Sequence, residues 1–365
     1  MISENLVKLF RQQITVIMKP TANCNLRCVY CYNDKHSGCD NIKYMSMENY
    51  EKLLDMLCQE YKKIQFVWVG GEPLLYGLDN YRKVVELQEK YSQKYQTTII
   101  NGMQSNGLLL SDEFKIFLNE QNFSISVSYD GIANNLTRGY PSQTFMKLQE
   151  QYKLNGVLHV LNNHNIVHII EDYKEYNDKG INVKFNTVFE LEKEKTLEIN
   201  NVEFCHQIGN FLDFWFSDEN CKISISPYED YIKILTNQPC YPCTMGSCLY
   251  KFLTMDQNGF LYPCSKSLPN EYICHINDVS TIAEVFSQTS YNKLISDVLS
   301  RQNKCREKCE LFYYCGGGCH FRGLHGLECD SFKFVFKTCQ KWIKNRRYEI
   351  KNPIIKNLIK NVQKL

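Results

Sequence analysis

The chain has 365 residues, a net charge of +2 and 44% apolar residues, enough for two modest domains or one large domain with an extension. The near-neutral balance argues against a polyanion binder, so no nucleic-acid partner is expected. No apolar run reaches the roughly 18 residues of a membrane span. Met1 to Gln13 carry neither a continuous apolar stretch nor a small-residue cleavage site, so a cytoplasmic location is expected rather than secretion. A cytoplasmic protein avoids disulfides, yet this one holds 18 cysteines, and metal or iron–sulfur ligation reconciles the two facts.

Residues 14–18 are β-branched and apolar, a short buried strand that runs into Cys24-Asn25-Leu26-Arg27-Cys28-Val29-Tyr30-Cys31. A helix follows over 46–61, with Tyr50, Leu53, Leu54, Leu57 and Tyr61 at helical spacing and Ser46 as its cap. The strand at 64–69 ends in Gly70-Gly71-Glu72-Pro73. Helices at 79–94, 111–120, 141–153, 165–179 and 202–216 then alternate with strands at 97–103, 123–128, 156–161 and 182–189. About six βα units result, an α/β pattern that predicts a partial (β/α)6 parallel barrel. In such folds the active site lies at the C-terminal ends of the strands. The cysteine loop, Gly70-Gly71-Glu72, Ser105-Asn106-Gly107, Ser128-Tyr129-Asp130-Gly131 and Asn186-Thr187 all fall there.

After about residue 235 the alternation stops, and a domain boundary is expected near Thr236-Asn237-Gln238-Pro239. The expected division is 1–235 for the barrel, 236–345 for a cysteine-rich extension and 346–365 for a basic tail. Leu253-Thr254-Met255 and Phe260-Leu261-Tyr262 flank Asp256-Gln257-Asn258-Gly259, which reads as a β-hairpin, and 281–300 reads as helical. In the tail, Ile354, Ile355, Leu358, Ile359 and Val362 recur at helical spacing. A docked amphipathic helix with a solvated lysine face is expected, with capture of an acidic peptide segment as the alternative.

Three thiolates in a CxxxCxxC spacing can hold three irons of a four-iron, four-sulfur cluster and leave the fourth iron open for chemistry. A structural zinc site is the alternative on spacing alone, with His36 or Cys39 as the fourth ligand. Cys39, Cys58, Cys205, Cys221 and Cys274 read by default as small core residues, and His159, His164 and His168 as ordinary strand and loop histidines.

CxxxCxxC after the first strand, with Gly-Gly-Glu-Pro after the second, resembles the radical S-adenosylmethionine (AdoMet) superfamily. Gly259-x4-Cys264, Cys309-x5-Cys315-x3-Cys319 and a last cysteine beyond resemble its twin-cluster SPASM extension, although Cys305-x3-Cys309 is one residue longer than the usual pair. The resemblance implies that Cys24, Cys28 and Cys31 bind a catalytic [4Fe-4S] cluster whose open iron is chelated by AdoMet. Gly70, Gly71 and Glu72 would receive the methionine amine, and backbone near Tyr30 would touch the adenine. Ser128 and Arg138 would face the ribose and the methionine carboxylate. Two auxiliary [4Fe-4S] clusters are implied. Cys243, Cys248, Cys264 and Cys319 would hold the first, with Cys240 competing for the place of Cys243. Cys305, Cys309, Cys315 and Cys339 would hold the second, with Cys329 competing for the place of Cys339.

The same resemblance implies reductive cleavage of AdoMet to a 5′-deoxyadenosyl radical, which takes hydrogen from a peptide or protein substrate. Two branches compete. Maturation of a ribosomally made peptide, by a crosslink or related change, is expected ahead of oxidation of a sulfatase cysteine or serine to formylglycine. The sulfatase branch places a proton-removing aspartate directly after the hairpin cysteine, where this chain has Ser265. A low-potential donor such as flavodoxin or ferredoxin is the expected partner. The cluster loop comes too early for a leader-binding domain upstream, so any leader capture is expected to use a separate leader-binding protein, the barrel rim or the basic tail. An iron–sulfur or zinc scaffold without radical chemistry is the alternative of another class, and a Gly-Gly-Glu rim argues against it.

Overall fold

The computed structural model describes residues 12–33, 43–188, 197–240, 242–246, 248–324 and 329–360. His36, Cys39 and Val362 lie outside these residues. The strands among the described residues are β1 (Gln13–Met18), β2 (Lys63–Trp68), β3 (Thr98–Ser105), β4 (Ser124–Ser128), β5 (Gly156–Leu161), β6 (Asn182–Thr187), β7 (Ile225–Ser226), β8 (Phe252–Met255), β9 (Phe260–Tyr262) and β10 (Cys274–His275). The chain forms two compact units. The first takes the described residues of Met1–Arg27, Cys31–Ser126 and Ser247–Lys304, and the second those of Cys28–Tyr30, Val127–Gly246 and Cys305–Leu365.

In the first unit β1, β2 and β3 are parallel and in step, with Ile14 opposite Ile64 and Ile64 opposite Ile99. Alternate side chains of β1 and β2 are wholly buried: Ile14, Val16 and Met18, then Ile64, Phe66 and Trp68. This period-two burial is what the β-branched and aromatic residues there favour. The Met47–Glu60 helix starts where Ser46 Oγ accepts from the Asn49 amide at 3.1 Å, and it buries Leu53, Leu54 and Leu57. Tyr50, Phe66, Trp68 and Tyr81 form an aromatic core, with Trp68 and Tyr81 edge to face at 5.3 Å.

The expected boundary near residues 236–239 is not where the units divide. β8 pairs in parallel with β1, with Val16 opposite Leu253 and Met18 opposite Met255, so the hairpin belongs to the first unit. β8 and β9 are antiparallel as the turn residues predict. Asp256 Oδ1 accepts from the Asn258 and Phe260 amides at 2.9 Å, and Gly259 takes φ +88° at the end of that turn. The expected helix over 281–300 is two, Ile282–Ser287 and Thr289–Lys308, which carries Cys305 on a last helical turn.

In the second unit β5 and β6 are parallel over six residue pairs, and β7, too short to show a pattern in sequence, extends them on the β6 side. The helices Ile169–Lys179 and Asn201–Ser217 pack against each other. The core gathers Phe185, Phe211, Trp215 and Tyr228 at ring separations of 5.5 to 6.4 Å. The tail is docked through its Pro353–Ile359 helix: Ile355 and Ile359 are buried, and Asn352 Nδ2 donates to Trp215 O at 2.9 Å. The fold is α/β with parallel strands at its centre, the partial-barrel class that the alternation predicts, followed by a cysteine-rich C-terminal region.

Candidate active site

The start of the cysteine loop, as far as Arg27, is built on the rim of the first unit. The Gly71 amide donates to Thr21 O at 3.0 Å and the Glu72 amide to Asn23 O at 2.7 Å. These bonds bring the Gly-Gly-Glu turn directly onto the loop. A Cβ on Gly71 would stand 2.0 Å from Asn23 O, so only glycine fits there, and Gly70 sits at φ +129°, where other residues are strained. Cys24 Sγ accepts from the Leu26 amide at 3.4 Å, and Asn106 Nδ2 lies 3.8 Å from the same sulfur while donating to Asn25 Oδ1 at 2.7 Å. The ends of β1, β2 and β3 thus meet around Cys24.

Glu72 is 1% exposed. One carboxylate oxygen accepts from the Leu74 amide at 3.0 Å and the Ser105 hydroxyl at 2.7 Å, and the other accepts from the Asn106 amide at 2.8 Å. Burial raises its pKa, and these three hydrogen bonds act against the rise. The carboxylate therefore ties β2 to β3, a role sequence reasoning missed. Its expected part in holding an amine is left with whatever acceptor capacity these contacts spare.

In the second unit, Cys28, Val29 and Tyr30 run beside the turn after β4, with the Val29 amide donating to Thr137 O at 3.0 Å. Tyr30 donates its hydroxyl to Asp130 Oδ2. Arg138, expected to face a methionine carboxylate, forms a buried ion pair with Asp130 at 3.1 Å and lies 5.4 Å from the Tyr30 ring centre. Thr137 Oγ1 and the Val160 amide complete the shell of Asp130 at 2.8 and 3.0 Å. Burial alone would raise the Asp130 carboxyl, but the guanidinium beside it brings it below its ordinary value. Ser128 ends β4, and its carbonyl accepts from Tyr140 at 3.0 Å.

Among the described residues, no cysteine is in a disulfide. Burial raises the Cys315 thiol, and the neighbouring thiols of Cys309, Cys305 and Cys329 raise it further. Cys305, Cys309 and Cys329 thus lie within electrostatic reach of Cys315. Cys339 does not join them. It is wholly buried on the Asp330–Asn345 helix beside Tyr228 and Tyr231, where burial pushes its thiol up to about 12. Cys329 caps the N-terminus of that same helix. The Cys243–Met245 turn sits against the Cys315–His320 segment: a Cβ on Gly246 would be 2.5 Å from Gly316 O, and His320 Nε2 is 3.1 Å from Gly246 O. In the first unit the Lys266 amide points at Cys264 Sγ at 3.5 Å. All-thiol donor sets with amide N–H groups aimed at the sulfurs suit iron–sulfur clusters. Among the described residues, no three His, Cys, Asp or Glu side chains converge as the ligands of one ion do. Also among them, no helix is long and apolar enough to cross a membrane.

Residues 18–189 match the profile of the Radical SAM superfamily. The cysteine-type anaerobic sulfatase-maturating enzyme of Clostridium novyi (strain NT) is 25% identical over 360 residues, covering 89% of this chain and 95% of the relative. The enzyme of the same description from Clostridium perfringens is 26% identical over 375 residues, covering 96% and 99%. The solved structure of native anSMEcpe with bound AdoMet and the Cp18Cys peptide superposes with a TM-score of 0.76 at 25% identity, covering 93% of this chain and all of that one. With the cysteine loop and its Gly-Gly-Glu rim in place, these matches identify residues 18–189 as a radical SAM domain, and the chain as a radical SAM enzyme.

Proposed function

We propose that this enzyme matures a sulfatase, oxidising the active-site cysteine of a sulfatase peptide segment to formylglycine. The expected order of the two substrate branches is thereby reversed. The observation that carries the reading is end-to-end similarity to cysteine-type anaerobic sulfatase-maturating enzymes, which extends through the cysteine-rich region. A fold shared with a peptide-bound structure supports a peptide as substrate. Ser265 still stands where that branch has its aspartate, so proton removal from the substrate thiol falls to another group.

Cys24, Cys28 and Cys31 would hold the catalytic cluster. When bound and reduced, it supplies the electron that cleaves AdoMet to methionine and the radical that takes hydrogen from the substrate. The chain's own part is positioning. Gly71 lets the rim close on the loop, Glu72 locks β2 to β3, and Asp130 fixes Tyr30 and Arg138 at the turn after β4. Cys305, Cys309, Cys315 and Cys329 would hold one auxiliary cluster, with Cys329 in the place first expected of Cys339. Cys243, Cys248, Cys264 and Cys319 remain the set for the other. An external low-potential donor would deliver the electron.

The test is an anaerobic assay of the reduced enzyme with AdoMet and three peptides: a sulfatase segment bearing cysteine, the same segment bearing serine, and a cysteine-rich precursor peptide. Formylglycine in the cysteine-bearing segment, read by mass spectrometry and aldehyde labelling, is expected. Modification of the precursor peptide alone would overturn the reading.

A further inference from the structure

The rim of the first unit carries a cation beside the cysteine loop. Lys19 follows β1 directly and is only half-exposed. Its Nζ donates to Ser265 O at 2.7 Å and to Asn33 Oδ1 at 3.3 Å, and it lies 5.3 Å from the centre of the Tyr32 ring. Asn33 Nδ2 donates in turn to Gly70 O at 2.5 Å. Gly70 also packs on the lysine: a Cβ there would stand 3.4 Å from Lys19 Cα. One ammonium therefore grips the residue after Cys264. Through Asn33 it also grips the second residue after Cys31 and the Gly-Gly-Glu turn. All of these residues belong to the first unit. Burial draws the ammonium down to about 8, while the charges of Cys264, Asp256 and Cys31 act to hold it protonated.

We propose that Lys19 is a positioning residue that fixes one positive charge between the catalytic cysteine loop and the Cys264 loop, and so raises the reduction potentials of the clusters these cysteines hold. Adding an electron to a thiolate-ligated cluster increases its negative charge. A cation held nearby in a partly desolvated place favours that reduced state. Because Lys19 reaches both loops, it biases the cluster that receives the electron for AdoMet cleavage and the cluster on the Cys264 side in the same direction. The inference rests on Cys31 and Cys264 being cluster ligands, not on the identity of the substrate.

The experiment is a potentiometric titration of the full chain, reconstituted without oxygen and followed by electron paramagnetic resonance, with iron and sulfide counted in each sample. Lys19→Gln keeps a donor for Ser265 O but removes the charge, and Asn33→Asp sets a carboxylate against the Nζ. Both are expected to keep the wild-type iron content and to shift cluster midpoints to more negative potential. Lys19→Arg, which keeps the charge, is expected to titrate close to wild type. Wild-type midpoints in both Lys19→Gln and Asn33→Asp would overturn the inference and leave the cluster reading standing. A wild-type chain that takes up no iron–sulfur cluster would overturn the cluster reading itself, and this inference with it.

Discussion

Glu72 sits in a motif whose glycines and acid are plain in sequence, but its three intramolecular partners come from Leu74, Ser105 and Asn106. Glu72→Ala leaves two buried amides and a hydroxyl without an acceptor. At about 1–3 kcal/mol for each orphaned group, a loss of several kcal/mol is expected in urea unfolding of the apoprotein. Glu72→Gln, which keeps an acceptor oxygen, should lose less; equal stability of Glu72→Ala and wild type would refute the stitching role. Arg138→Met leaves Asp130 as an uncompensated buried charge, for which about 3–5 kcal/mol is the usual loss. The Asp130 carboxyl is held below its ordinary value, so its stabilisation is present above the unfolded carboxyl range and lost as pH falls through the folded value. Unfolding midpoints from neutral pH into acid should show that contribution fading in wild type and absent in Arg138→Met. That Tyr30 and Arg138 share one partner was not legible in sequence, because Asp130 lies 100 positions from Tyr30 and only the folded turn after β4 joins them.

At the level of elements, β1 and β2 were legible because alternate residues bury completely, and β7 was not, because two residues carry no period. The last cysteine ligand shows a different limit. Counting residues favoured Cys339, but a helix rises about 1.5 Å per residue, which puts it on the order of 15 Å along the axis from Cys329. Both cannot serve one cluster. Cys329, at the helix N-terminus where anionic groups are favoured, is the one whose charge acts on Cys315 together with those of Cys305 and Cys309. Cys329→Ala is therefore expected to lose roughly four irons per chain, and Cys339→Ala to keep them. Iron and sulfide analysis of the two purified variants checks this, and the reverse pattern would restore Cys339 as the ligand.

For the molecule as a whole, sequence rhythm conveyed the alternation but not the pairing. A change of composition near residue 236 looked like a domain boundary, while β8 returns beside β1 and places the Cys264 hairpin with the first strands. Long-range parallel pairing leaves no local trace, because each strand satisfies the same period with any neighbour. Substrate choice was the least legible feature. One substitution, Ser265 for an expected aspartate, pointed away from sulfatases, whereas similarity spread over the whole chain points toward them. The central claim is that a radical made at the Cys24-Cys28-Cys31 loop is spent on the side chain of a substrate cysteine. The most direct measurement uses a sulfatase peptide deuterated at the β-carbon of that cysteine, incubated anaerobically with reduced enzyme and AdoMet. Deuterium appearing in 5′-deoxyadenosine together with formylglycine in the peptide is the predicted result. AdoMet cleavage that yields unlabelled 5′-deoxyadenosine and an unchanged peptide would contradict it.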